Sequence, residues 1–206
     1  MKKITTFALM SVALMLILSS CSGSDKSMLF GSLPSKYSEL KSQRDQLEEK
    51  AKNVKTEEEK AEIIKKSQKL DEKWTPRIEK AATKLDGKEI DITDDTFKVT
   101  SPISLTFEKL SSRTLEPIFK INGSAETAEA ITLENTINPS LLVYIAGYDA
   151  EGNKLYSIKV GRITGEVEGT TVTIPAGTPI DFSNLTFAGA YVDKYPETKT
   201  LKFIYS

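Results

Sequence analysis

The sequence predicts an α+β chain, in which an antiparallel helical hairpin over residues 34–87 precedes an antiparallel β-sandwich over residues 88–206. Three observations predict this. Residues 35–86 contain no glycine and are dense in Glu, Lys and Gln, which is a helical composition. From Ile90 onward the period changes, and short runs rich in Val, Ile, Thr, Phe and Tyr alternate with turn residues. A separate apolar run, Phe7 to Leu18, stands at the start and is soon followed by the single cysteine, Cys21.

That opening stretch reads as a secretory signal peptide over residues 1–20. Met1-Lys2-Lys3 is positive, the run to Leu18 is apolar, and small Ser19 and Ser20 follow. The run is shorter than the ~20 residues that span a bilayer. The residues Leu18-Ser19-Ser20-Cys21 resemble the lipobox of bacterial lipoproteins. The resemblance implies that the Cys21 thiol takes a diacylglyceryl group, that cleavage falls just before it, and that its new amino group is acylated. A lone thiol, free of any disulfide partner, suits that alkylation. Each buried lipid methylene contributes about 0.8 kcal/mol, and two or more chains anchor stably where one does not. The resemblance further implies a membrane as partner through Cys21. Ser22, rather than an aspartate, is compatible with the outer membrane of a Gram-negative bacterium.

Residues 21–33 then form a lipidated tether. Its first half is Ser/Gly-rich and flexible, but Met28, Leu29, Phe30 and Leu33 add apolar surface. That patch is expected to dock on the folded body, the alternative being the membrane itself.

In the first helical arm, Tyr37, Leu40, Arg44, Leu47, Ala51 and Val54 recur at steps of three and four, a stripe broken only by Arg44. Pro34 suits a first helical turn, and Ser32 or Ser35 can cap it. Thr56 with Glu59 forms a capping box, and acids at 57–59 favour the positive end of a new helix. The chain should therefore turn near residue 55. Ile63, Ser67, Leu70, Trp74, Ile78, Ala81, Ala82 and Leu85 continue a stripe that Gly87 closes. Pro76 predicts a kink or short break, with Thr75 as cap of a fresh segment. Folded at residue 55, Leu47 meets Ile63, Leu40 meets Leu70, and Trp74 falls opposite Tyr37. The second arm overhangs by roughly 15 Å, so Ile78, Ala82 and Leu85 need cover from the Met28–Leu33 patch or from the β-domain.

Strands are expected near 89–92, 96–100, 103–110, 115–121, 127–134, 141–149, 154–160, 170–174, 179–182, 185–193 and 199–205. Asp149 to Asn153 is the clearest hairpin turn, and Pro175-Ala-Gly177 and Lys194-Tyr-Pro196 mark two more. "VYIAGYDAEGNKL" followed by "VTIPAGTPIDF" resembles the immunoglobulin-like sandwiches of extracytoplasmic bacterial lipoproteins, in which a Tyr-Asp-x-x-Gly hairpin precedes a Pro-x-Gly strand start. The resemblance implies an immunoglobulin-like β-sandwich and says nothing of a ligand.

Composition narrows the chemistry. The chain has no histidine, which excludes Ser-His-Asp and Cys-His catalysis and His-ligated metals. After removal of residues 1–20 it carries 26 basic and 29 acidic residues, so no nucleic-acid partner is expected. No cofactor or metal is expected. Asp149, Glu151 and Asn153 alternate like part of a calcium loop, but Gly152 comes too early and the twelfth position is Val160. Asp91, Asp94 and Asp95 read as a turn. Tyr144 and Tyr148 share one face of their strand by period two, and with Tyr191 they are the candidate ligand-binding residues, for a glycan stacked on exposed rings. The helices 34–86 form a thin seam that can pair with a partner protein or a second copy. The reading is a non-enzymatic binding or assembly module held at an envelope membrane. The alternative is a carbohydrate-binding or glycan-processing surface lipoprotein, which as an enzyme needs two carboxylates facing one cleft.

Overall fold

The computed structural model describes residues 29–206. The expected signal peptide, the lipobox-like segment with Cys21, and the expected tether up to Met28 lie outside the described residues. The architecture is α+β, with two packed helices followed by three antiparallel sheets.

Helix α1 spans Leu33–Lys52 and α2 spans Glu57–Thr83. The turn between them falls where the capping box places it. Glu59 N–H donates to Thr56 Oγ1 at 3.2 Å, and Thr56 N–H donates back to Glu59 Oε2 at 3.1 Å. Two backbone donors that a helix start leaves unsatisfied are thereby used. At the start of α1, Ser32 is the cap position but its side chain makes no capping bond. Of the expected kink or short break at Pro76, the break does not occur: helix α2 runs through the proline, and Thr75 does not cap a fresh segment. Burial of Trp74, Ile78, Ala81 and Ala82 on both sides of the proline holds the segment helical, which offsets the ~3 kcal/mol that an interior proline costs. Past Thr83, Gly87 takes φ +70° as the chain leaves toward the sheets.

The strands are β1 (Glu89–Ile90), β2 (Phe97–Leu110), β3 (Pro117–Thr127), β4 (Ile131–Leu133), β5 (Ser140–Tyr148), β6 (Lys154–Thr164), β7 (Glu166–Glu168), β8 (Thr171–Ile174), β9 (Asp181–Phe182), β10 (Leu185–Thr186) and β11 (Thr200–Tyr205). They form sheets of order β1-β2-β3-β10, β11-β5-β6-β9 and β4-β8-β7. The two four-stranded sheets share one core, where Phe97 of β2 meets Phe203 of β11 edge-on at 5.7 Å.

Several strand boundaries differ from expectation. The runs expected at 96–100 and 103–110 are one strand, with register shifts on either side of Ser101 that absorb Pro102. Gly123 on the facing strand has φ +108°, and a Cβ there would collide with the Pro102 carbonyl, so glycine is required. The run expected at 89–92 is cut to Glu89 and Ile90, which pair with Ser104 and Ile103. The run expected at 127–134 divides between β3 and β4, which belong to different sheets. Beyond Thr186 the run expected at 185–193 is not a strand but leads into a 3-10 turn, Gly189–Tyr191. The reason is Tyr195, whose hydroxyl donates to the Ala188 carbonyl at 2.9 Å and accepts from Ala188 N–H at 3.2 Å. That clasp uses the backbone groups a sheet ladder needs. Strand β7 was not expected, because Glu-Val-Glu is exposed throughout and shows no inward alternation.

The helices and sheets have one continuous apolar core. Leu29, Phe30 and Leu33 dock into it as the tether patch requires. Phe30 is fully buried, with its ring 5.0 Å from both Phe187 and Tyr195 and 5.8 Å from Phe119. Gly31 lies against Leu85, so this short segment covers the end of the overhanging arm. Polar contacts fix the same junction. The Thr114 carbonyl accepts from Tyr37 Oη at 2.7 Å and from Arg44 Nη1 at 2.7 Å. Arg44 also pairs with Asp71 of α2 at 2.8 Å. The residue that interrupts the apolar stripe thus ties α1 to α2 and to the loop between β2 and β3. Glu116 completes the loop, accepting from Thr114 Oγ1 and from Gly189 N–H. By contrast, residues 41–69 carry no buried side chain, although Leu47 and Ile63 face one shallow depression as the hairpin register expects.

Truncating Phe30 leaves a cavity among three aromatic rings. Phe30→Ala is expected to destabilise the chain by about 3–5 kcal/mol, whereas Ile64→Ala, on an exposed helix face, should change stability by less than ~0.5 kcal/mol. Urea unfolding of both variants checks this, and equal losses would contradict the docked placement of Phe30.

Candidate functional site

The candidate tyrosines fall on two different surfaces. Tyr144 and Tyr148 project from the outward face of β5 and are half-buried. Alternating with them along β5, Val143, Ile145 and Gly147 turn inward, where the first two are fully buried. Tyr191 lies elsewhere. It stacks on Tyr156 at 5.8 Å and 24°, and Tyr156 packs against Gly147 on the inward side of the same sheet. Tyr191 therefore supports the core and does not extend the Tyr144–Tyr148 row.

What joins that row was not expected. Strand β5 pairs with β6 on one side and β11 on the other, and residues opposite each other share a face. Four successive outward rows each carry one cation. Tyr148 faces Lys154, Ala146 faces Lys202, Tyr144 faces Lys159, and Leu142 faces Arg162. These rows are two residues apart, so the cations repeat at about 7 Å along the strand. Lys202 Nζ lies 5.8 Å from the Tyr148 ring centroid, a cation–π contact across adjacent strands. Asp181 is the one acid on these paired strand positions, and Arg162 Nε holds it at 3.0 Å.

Two irregularities in β6 make this alignment. The register skips Leu155 between Tyr156 and Lys154, and skips Val160 between Gly161 and Lys159. Each bulge inserts one residue and reverses the phase of the side chains beyond it. Lys154, Lys159 and Arg162 are spaced by five and three residues, so strict alternation would divide them between faces. With the bulges they share one.

An open cleft of about 500 Å³ adjoins the same face. Ser157 and Lys159 of β6 form one wall, and Ser183, Asn184 and Thr186 bring hydroxyl and amide groups to the other. Glu116 also reaches the cleft, with one carboxylate oxygen held by Gly189 N–H at 2.9 Å. The cleft can offer hydrogen bonds to a polar ligand.

The acidic turns are occupied by their own backbone. Asp149 accepts from Glu151 N–H, Asn153 N–H and Asn153 Nδ2 at 2.8–3.0 Å. The Asn153 bonds hold its carboxyl below the ordinary range, and Gly152 supplies φ +83° for the turn. Asp94 accepts from Thr96 and Phe97 N–H, consistent with the turn expected for Asp91, Asp94 and Asp95. Among the described residues, no three acids or cysteines cluster closely enough to hold a metal, and no helix is long and apolar enough to cross a membrane.

The chain matches no protein-family model, no curated protein and no solved structure.

Burial raises two supporting tyrosines. Tyr156 is pushed up to about 12 by burial, with the bond from Thr198 opposing slightly. Tyr37 is pushed up to about 12 by burial and by the nearby Glu116 charge, with Arg44 opposing. Each favours the neutral phenol in the fold. Their contribution is complete below the unfolded value of 10.0 and is lost as pH rises through about 12. Stability measured by urea unfolding is expected to decline across that window. The decline should be shallower in the double variant Tyr37→Phe/Tyr156→Phe, and an unchanged slope would contradict the assignment.

Proposed function

We propose that this protein is a bacterial envelope lipoprotein, anchored through Cys21 and acting as a non-enzymatic binding or assembly module. The observation that carries the reading is Leu18-Ser19-Ser20-Cys21, placed directly after a short apolar run with a basic start. The anchor positions the folded body at a membrane surface, in this reading the outer membrane of a Gram-negative cell. We read the two four-stranded sheets as an immunoglobulin-like sandwich. The docking of Leu29, Phe30 and Leu33 shortens the tether to residues 22–28, whose reach is at most about 25 Å, so the module stays within that distance of its membrane.

Two surfaces are available for partners. The projecting part of the helical hairpin, residues 41–69, has a thin apolar seam and is the place for a protein partner or a second copy. The Tyr144–Tyr148 face supports the second reading, a carbohydrate-binding or glycan-processing surface protein. The half-buried ring row beside a cleft lined with hydroxyl and amide groups favours its binding form over its enzymatic one.

Anchoring is tested by fractionating cells that express the full chain and Cys21→Ala. The wild type is expected in the membrane fraction, with an intact mass that includes the acyl groups and lacks residues 1–20. Cys21→Ala should leave that fraction or retain its leader uncut. A wild-type product with a free thiol and residues 1–20 still attached would overturn the reading.

A further inference from the structure

We propose that the outward face of β11–β5–β6, with the cleft beside it, binds an acidic polysaccharide in an extended conformation. The inference deepens the glycan reading and rests on the body lying outside the cytoplasm. The regular ladder of cations carries it. Lys154, Lys202, Lys159 and Arg162 occupy four successive rows at about 7 Å steps, in a chain whose net charge is −1. Scattered surface lysines do not require two bulges to bring them onto one face, whereas these do.

The ligand's chemistry follows from what lies between the charges. Tyr144 and Tyr148 stand about 14 Å apart on the same strand, with Lys202 on the row midway between them. An alternation of ring and ammonium complements a chain that alternates a flat C–H face with a carboxylate. Sugar faces stack on phenol rings, and the carboxylates pair with Lys159 and Lys202. Ser157, Ser183, Asn184 and Thr186 in the adjoining cleft suit the remaining hydroxyls. An anionic lipid surface would use the charges but not the hydroxyl and amide wall. It would also favour a larger apolar patch than Leu142 and Ile204, both only half-buried, provide. Arg162 is already engaged with Asp181, so it stabilises the end of the ladder and contributes less to the ligand.

The test uses the lipidated full chain in neutral detergent, with polygalacturonate as probe. Neutral dextran, oligothymidylate and glycerol phosphate, the soluble headgroup of phosphatidylglycerol, are the competing probes. Polygalacturonate is expected to bind, to weaken with added salt, and to outcompete all three. Tyr148→Ala and Lys202→Gln should each weaken binding by about fivefold, as loss of one exposed ring or charge implies. Lys65→Gln, on the exposed face of α2, should leave it unchanged. Circular dichroism and urea midpoints of the variants show whether the fold is kept. Absence of polygalacturonate binding, equal binding of dextran, oligothymidylate or glycerol phosphate, or equal affinity of the folded Tyr148→Ala variant each overturns the proposal. Cell fractionation reads the anchoring separately, so either idea can fail while the other stands.

Discussion

Phe30 sits where the helices meet the sheets, and the junction is organised around keeping that ring dry. Its neighbours Phe119, Phe187 and Tyr195 come from β3 and from the irregular segment after β10. No one element could bury a phenylalanine alone. Removing it would expose apolar surface on all of them, and that shared dependence makes the helices and sheets one cooperative core. The polar contacts around Thr114 act differently. They contribute modest net energy but fix direction, since one carbonyl receives both Tyr37 and Arg44. Apolar burial supplies the strength of the junction, and these bonds set its angle.

That arrangement divides the hairpin into two halves with different physics. The half near the body is fixed by Leu33, Tyr37, Leu40, Trp74 and Ile78, all buried. The projecting half depends on its capping box and on exposed ion pairs such as Lys41–Asp45 and Lys66–Glu62. Pairs of that kind are worth a few tenths of a kcal/mol each. The base is sturdy and the tip marginal, so local opening of the tip need not disturb the core.

Much of this was legible residue by residue. Thr56 and Glu59 announce a helix start because their partners lie within one turn. The Asp149–Asn153 turn is equally local, and so is the alternation in β5 that sends Tyr144 and Tyr148 outward. Arg44 was harder. In the sequence it only interrupts an apolar stripe, because both its partners, Thr114 and Asp71, are distant along the chain. The segment after Thr186 has strand-like composition, but Tyr195 ties down Ala188 and redirects it. The cation ladder was hidden for a similar reason: its spacing obeys period two only after two bulges, and bulges are set by pairing.

The sequence by itself therefore determined the α+β class, the hairpin and its capped turn, most of the strands, and the expectation of a lipid-anchored cysteine. Each of these depends on interactions between residues a few positions apart. Tertiary structure alone decided that Pro76 stays within one helix, that Tyr191 belongs to the core side, and that four cations align beside two tyrosines. Those outcomes depend on register and burial between segments far apart in sequence. Such contacts form only when the whole core closes, and no local pattern records them.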